Sequence, residues 1–219
     1  MMAPVVKAYY GGQAETVVSS FYFPPLKSGC DDVVQTGVLL RPEVLDARPE
    51  WHSHLLVYLR RFADRSVLDT LHRCGLEVLV YGLGDQPRDG NLTFRSIDEQ
   101  TFLEDLANCD ALISNAGNQL VGEALYLGKP VLAMPEAKNF EQFINAHFLR
   151  EGGGGDWVHT DQFDDATLRD FLVRTGEYRS AIHRERLNGL PDVLTTIQRH
   201  LPQTATVLEF YTARFQKVA

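Results

Sequence analysis

Positive charge is in short supply in this chain. Its 21 Lys and Arg stand against 29 Asp and Glu, a formal net charge of −8 at neutral pH. General nucleic-acid binding rests on surplus cations that neutralise phosphates, so that class is not expected. A small anion held by backbone N–H groups at helix ends remains open. Cysteine is scarce as well. Cys30, Cys74 and Cys109 are far apart and odd in number, which gives neither a metal spacing nor a secreted disulfide framework. A reduced, cytoplasmic setting is the simple expectation. No run of about 18 apolar residues is present to cross a bilayer. No secretory leader pattern is read, and no basic amphipathic segment points to a membrane surface. His52, His54, His72, His147, His159, His183 and His200 form no metal spacing, so no metal is expected, and His147 reads as core. Ser/His/Asp, P-loop and G-x-G-x-x-G signatures are missing, as is any repeat of fixed period.

What is present is organised around Asp110 to Gly155. The 219 residues, 44% hydrophobic and 23% charged, suit one large α/β domain or two very small ones. Within the run, Asp110–Ser114 reads as a short apolar strand, and Asn115-Ala116-Gly117-Asn118 is turn chemistry opening onto a helix. In Asn118–Leu127 the apolar Leu120, Val121, Ala124, Leu125 and Leu127 share one face, with Gln119, Glu123 and Tyr126 on the other. Gly128 stops that helix and Pro130 keeps it from restarting. Val131–Met134 reads as a second buried strand. Asn139 then opens a helix whose Phe140, Phe143, Ile144, His147 and Phe148 recur at helical spacing, closed by Gly152–Gly155. Strand–helix–strand units of this length are parallel crossovers. Their ligand crevice lies beyond the carboxyl ends of the strands, at the loops Ser114–Asn118 and Pro135–Phe140. Each loop runs into a helix N-terminus, and two such ends make an anion site.

The order SNAGNQLVGEALYLGKPVLAMP followed by FEQFINAHFL resembles the C-terminal, donor-binding half of GT-B glycosyltransferases. It is most similar to the branch containing the peptidoglycan N-acetylglucosaminyltransferase. The resemblance covers about forty residues at several fixed spacings. It implies a doubly wound, Rossmann-like parallel α/β sheet of about six strands, one half of a GT-B architecture. It also implies transfer of a hexosyl or N-acetylhexosaminyl group from a nucleoside diphosphate sugar, such as a UDP-sugar, to a glycan or lipid-linked acceptor. No cofactor is implied beyond that donor substrate. Relatives that act on lipid-linked acceptors extend the expected setting to a peripheral contact at the inner membrane. Two other readings stay open: a nucleotide-sugar 2-epimerase, and a non-catalytic nucleotide-sugar binding or regulatory protein.

Carried onto this sequence, the resemblance assigns roles residue by residue. Ser114, Asn115, Ala116, Gly117 and Asn118 would present backbone N–H groups and small side chains to the diphosphate. Asn115-Ala116-Gly117 stands where many relatives have His-Gly-Gly, so a histidine contact to phosphate is lost. Glu123 would accept both hydroxyls of the ribose, against the plain reading of a solvated helix glutamate. Glu141 and Gln142 match an acidic/Gln pair that contacts sugar hydroxyls; Asn139 with Gln142 is equally a capping-box spacing. Ile97 would lay its backbone against the base edge, with Phe94 and Ile97 as plain core the alternative. Gly82–Gly84 would border the base. Arg60 and Arg61 follow the first strand where relatives carry a phosphate loop, and are read as its replacement or as solvated surface.

The rest of the chain fits around this run. Strands are expected over Thr16–Phe23, Leu55–Leu59, Leu76–Tyr81, Leu92–Arg95 and Asp156–Thr160. Helices are expected over Asp64–Cys74, Glu99–Asn108 (capped by Ser96 or Asp98), Asp164–Arg174, Asp192–His200 and Thr204–Lys217. Arg41–Glu50 reads as a charged linker. The resemblance makes residues 1–50 the end of a preceding domain and its linker, 51–201 the nucleotide-sugar-binding domain, and 202–219 a C-terminal crossover helix. The chain is then a shortened form that lacks the half holding the general base.

Overall fold

The apolar runs expected as strands line up side by side in one sheet. A computed structural model of the protein describes residues 13–59 and 65–201. Its main sheet has six parallel strands: β3 (His54–Tyr58), β4 (Glu77–Tyr81), β5 (Leu92–Arg95), β6 (Ala111–Ser114), β7 (Val131–Ala133) and β8 (Gly155–Trp157), in the order β5-β4-β3-β6-β7-β8. The order reverses between β3 and β6, which pair from Leu55↔Ala111 to Tyr58↔Ser114. Side chains alternate between the two faces. Leu56, Leu79 and Leu112 enter one core, and Leu55, Val57, Val78, Val80 and Ile113 enter the other. A parallel sheet buried on both sides needs strands of this near-continuous apolar character.

Helices cover both faces. On the first lie α3 (Glu99–Asn108), α4 (Asn118–Tyr126) and α5 (Phe140–Glu151), with Leu103, Leu106, Val121, Ala124, Ala146 and Leu149 in the shared core. On the second lie α2 (Arg65–Arg73), α6 (Asp165–Val173) and α7 (Thr175–Ala181), through Val67, Leu71, Leu168, Phe171 and Tyr178. Asp98 is the cap expected of α3 and accepts from Thr101 N, while Asp164, expected inside its helix, instead caps α6 and accepts from Thr167 N. Gly155 opens β8 because a Cβ there would meet Val131 O at 1.9 Å.

The N-terminal segment forms a third layer over α4. β1 (Thr16–Ser19) and β2 (Val33–Thr36) pair in parallel as a separate two-stranded sheet. Within Arg41–Glu50, expected as a charged linker, the chain forms a short helix, α1 (Pro42–Asp46), with proline in its first turn. α8 (Leu190–His200) closes over β1 and β2: Thr36 Oγ1 donates to Gly189 O at 3.0 Å, and Arg199 pairs with Glu15 at 3.2 Å. Phe21, Val38, Leu40 and Val44 join the core of the first face.

Two faces expected from periodicity are corrected. In α5 the residues turned inward are Gln142, Asn145, Ala146 and Leu149, whereas Phe140 and Ile144 are exposed. His147 is exposed and pairs with Glu151 at 3.4 Å, so it is not core. Small and amide side chains fit the close approach of α5 to the β6–α4 turn, and the larger aromatics are displaced outward. In α4, Glu123 is buried rather than solvated, because the N-terminal segment covers that side. Arg60 and Arg61, and the helix expected over 204–217, lie outside the described residues. Among the described residues no helix is long and apolar enough to cross a membrane.

Candidate functional site

Parallel strands bring all carboxyl ends to one edge of the sheet, and the order reversal leaves a crevice there. β6 delivers Ser114 to that edge, and the chain turns into α4 through Asn115, Ala116 and Gly117. Gly117 is the N-cap of α4 and has no side chain to accept from the first turn, so those N–H groups face the crevice without a side-chain cap. Ala116 is fully buried at φ 60°, a left-handed conformation that strains a residue with a Cβ by about 1–2 kcal/mol. Two amides hold it. Asn145 Nδ2 donates to Ala116 O at 2.9 Å, and Asn115 Nδ2 donates to Met134 O at 3.1 Å. In the same turn Ser114 Oγ and Asn115 Oδ1 are buried with no hydrogen-bond partner among the described residues. Buried polar atoms are normally satisfied, and leaving one bare costs about 1–3 kcal/mol.

The structure divides the remaining assigned residues. Asn118 is tied to the end of β1: its Oδ1 accepts from Ser20 Oγ at 3.2 Å and its Nδ2 donates to Ser19 O at 3.1 Å. Asn139 caps α5, accepting from Gln142 N at 3.3 Å. The capping box is half realised, because Gln142 Oε1 accepts from Glu136 N at 2.7 Å instead of the Gln142 side chain reaching back to Asn139. Gln142 is therefore buried and committed to the β7–α5 loop, whereas Glu141 is exposed at the crevice edge. Asn139→Ala is expected to lower stability by about 1 kcal/mol in urea denaturation, since Gln142 N loses its acceptor. Ile97 is 59% exposed after β5, so it is not core, and Phe94 is core.

Glu123 differs most from its sequence reading. Its side chain is 4% exposed, and both oxygens are engaged by Arg41 of the segment before α1. Arg41 Nε donates to Oε1 at 3.1 Å and Nη2 to Oε2 at 3.0 Å; Gln119 Nε2 adds a third donor to Oε1 at 2.9 Å. The bonds to Glu123 push the Arg41 guanidinium above its usual range. Gly122 permits this packing, because a Cβ there would meet Val38 Cγ1 at 2.5 Å. The expected solvated polar face of α4 is thus an intramolecular interface.

Sequence reasoning missed Arg41, which lies 82 residues from its partner with no local spacing to announce it. It also missed the anchor under the β4 and β5 ends, where Tyr81 Oη and Arg95 Nη1 both donate to Asp105 of α3. Burial, then the bond to Asp105, pushes the Tyr81 phenol well above its usual range. Among the described residues no group of three His, Cys, Asp or Glu could hold a metal ion.

The sequence pattern described as glycosyl transferase family 1 matches residues 1–176. An uncharacterised glycosyltransferase of Methanosarcina acetivorans is 30% identical over 107 residues, covering 46% of this chain and 28% of that protein. Among solved structures, the calicheamicin glycosyltransferase CalG4 superposes with a TM-score of 0.65 at 19% identity, over 93% of this chain and 57% of CalG4. The kitacinnamycin glycosyltransferase gives 0.63 at 16%, over 86% and 55%. LpCGTa in complex with UDP gives 0.50 at 21%, over 71% and 41%. The chain thus spans between about a quarter and three-fifths of the length of these proteins.

Proposed function

The chain belongs to glycosyl transferase family 1, and from that premise we propose that it is the part that binds a nucleoside diphosphate sugar for transfer to an acceptor. The observation that carries this reading is the β6–α4 turn. An α4 start without a side-chain cap stands beside the unpartnered Ser114 Oγ and Asn115 Oδ1, all at the carboxyl edge of the sheet where its order reverses. A diphosphate would accept from those N–H groups and from the Ser114 hydroxyl, whereas Asn115 Oδ1 needs a donor, which a sugar hydroxyl would supply. Stabilising the leaving diphosphate at helix ends, and orienting the sugar from the Glu141 side, is the chemistry this edge could supply. A hexosyl or N-acetylhexosaminyl donor, and kinship with the peptidoglycan N-acetylglucosaminyltransferase branch, rest on the motif from Ser114 to Phe148. On this reading residues 51–201 are the nucleotide-sugar-binding domain.

Calorimetric titration with UDP, GDP and dTDP should show at least one diphosphate binding, tighter than its monophosphate. No binding at millimolar concentration would overturn the reading. A non-catalytic nucleotide-sugar binder is the second reading, favoured by Asn115 in place of a histidine and by the occupied Glu123. Donor binding without consumption, with acceptor present and the complete gene product, would select it.

A further inference from the structure

The Glu123 carboxylate offers about four acceptor positions, two on each oxygen. Arg41 takes one on each oxygen and Gln119 takes the second on Oε1. One position is left, on an atom group only 4% exposed. A ribose diol needs one acceptor on each oxygen of a rigid carboxylate, so it cannot be gripped while Arg41 stays. What shields Glu123 is this cation and the segment that carries it.

Arg41 has somewhere else to go. Its side chain is 35% exposed, and it lines a cavity of about 540 Å³ between α1 and α3 together with Glu43, Glu99, Gln100 and Glu104. Glu99 and Glu43 already act on its charge from that side. A guanidinium that leaves Glu123 therefore enters a space where four carboxylates, Glu43, Asp46, Glu99 and Glu104, outnumber the other cation, Arg48, rather than bare solvent. The segment is held to α4 at few polar points, chiefly Gln119 Nε2 on Leu39 O at 3.0 Å and the Arg41 pair itself.

We propose that Arg41 is a specificity-determining residue of the nucleotide site: it is an internal competitor for Glu123, and a ribose diol binds by displacing it toward Glu43 and Glu99. The inference rests on the nucleotide reading above together with the ribose role that the family resemblance gives Glu123, and it adds a residue that contacts no ligand in that reading. Its consequence is counter-intuitive for a cation beside a diphosphate site, since removing it should tighten binding. Arg41→Ala leaves a buried carboxylate short of donors, and a ribose diol supplies two.

The test is calorimetry of the full chain with the tightest of UDP, GDP or dTDP in its ribo form, and with the 2′,3′-dideoxy form of the same nucleotide. Arg41→Ala should tighten the ribonucleotide at least threefold and leave the dideoxy nucleotide unchanged; Arg41→Lys, which keeps the charge but not the two-point grip, should fall between. Hydrogen exchange of residues 38–46 should quicken in wild type when the ribonucleotide is added. Unchanged or weaker ribonucleotide binding by a folded Arg41→Ala, or an equal gain for both nucleotides, overturns the competition while the nucleotide reading stands. Should Arg41→Ala fail to fold, Arg41→Lys and the exchange of 38–46 decide alone. Absence of binding by wild type and both variants overturns both.

Discussion

Glu123→Ala is expected to lower stability by about 2 kcal/mol and to abolish discrimination between ribo- and dideoxynucleotides. On sequence alone this position reads as a solvated helix glutamate whose loss the fold should barely notice. In the structure it is 3% exposed and ends three hydrogen bonds. Hydrogen bonds to a charged group contribute about 1.5–3 kcal/mol. Breaking an ion pair buried on both sides costs about 3–5 kcal/mol, but here the partner left behind, Arg41, is 35% exposed and can be rehydrated. The effect should therefore fall near the lower figure. Glu123→Gln keeps the shape and most of the packing, so it should lose about half as much. Urea unfolding of the three proteins measures this. The same variants titrated with nucleotide give the second result: a 2′,3′-dideoxy nucleotide should bind wild type and Glu123→Ala alike, and the ribonucleotide should bind Glu123→Ala no better than its dideoxy form. A Glu123→Ala protein with the wild-type urea midpoint would mean that the Arg41 pair contributes nothing. One that still prefers ribonucleotide would remove Glu123 from the ribose site.

Lys129→Met is expected to be more stable than wild type at pH 7, by about 1–2 kcal/mol, with the advantage vanishing toward pH 10.5. Lys129 is fully buried between the end of α4 and β7. Its ammonium donates to Glu50 O and lies 4.8 Å from the centre of the Trp51 ring. Burial pulls it down from 10.5 to about 8. Between those values the unfolded chain holds a proton that the folded chain has shed, so this group raises stability with pH from about 8 to 10.5 and imposes its full cost below 8. That gap is worth up to about 3 kcal/mol at ~1.4 kcal/mol per pH unit. A lost hydrogen bond of about 1 kcal/mol offsets part of the gain in the Met variant. Two other groups act with the opposite sign. Burial pushes the Cys109 thiol up to about 12 and the Tyr81 phenol up as well, so the folded chain keeps protons that the unfolded chain releases, and stability falls above about pH 9. The wild-type profile alone is therefore mixed, and the difference between wild type and Lys129→Met, read from urea midpoints at pH 7, 8, 9 and 10, isolates the lysine. A Met variant less stable at pH 7, with a difference that does not change with pH, would make the buried cation a net stabiliser.

The elements of the main sheet were legible because each strand is a short apolar run bounded by turn residues. Val131–Ala133 sits between Pro130 and Pro135, and β6 ends at Ser114 before an Asn-Ala-Gly turn. Caps at Asp98 and Asn139 were legible for the same local reason: each acts on an N–H three residues away. The crevice followed from topology, since parallel strands must gather their carboxyl ends. The inward face of α5 did not follow. Its aromatics have the stronger hydrophobic signal, yet Gln142 and Asn145 face inward to bond Glu136 N and Ala116 O. A backbone that needs a donor or acceptor outweighed apolar periodicity.

The sequence by itself determined an α/β sheet of parallel strands, the two helix starts at its crevice, and the turn that joins β6 to α4. The strand and helix runs, the helix starts and the turn depend on neighbours within about a dozen residues, and the parallel pairing then follows from the handed crossover rule rather than from local contacts. Tertiary structure alone decided what covers α4. Arg41 reaches Glu123 across 82 positions, Val38 fits against Gly122, and Ser20 meets Asn118 across 98. No periodicity within α4 distinguishes a carboxylate facing water from one facing a guanidinium, because both look polar in sequence. Only the fold brings that cation to it.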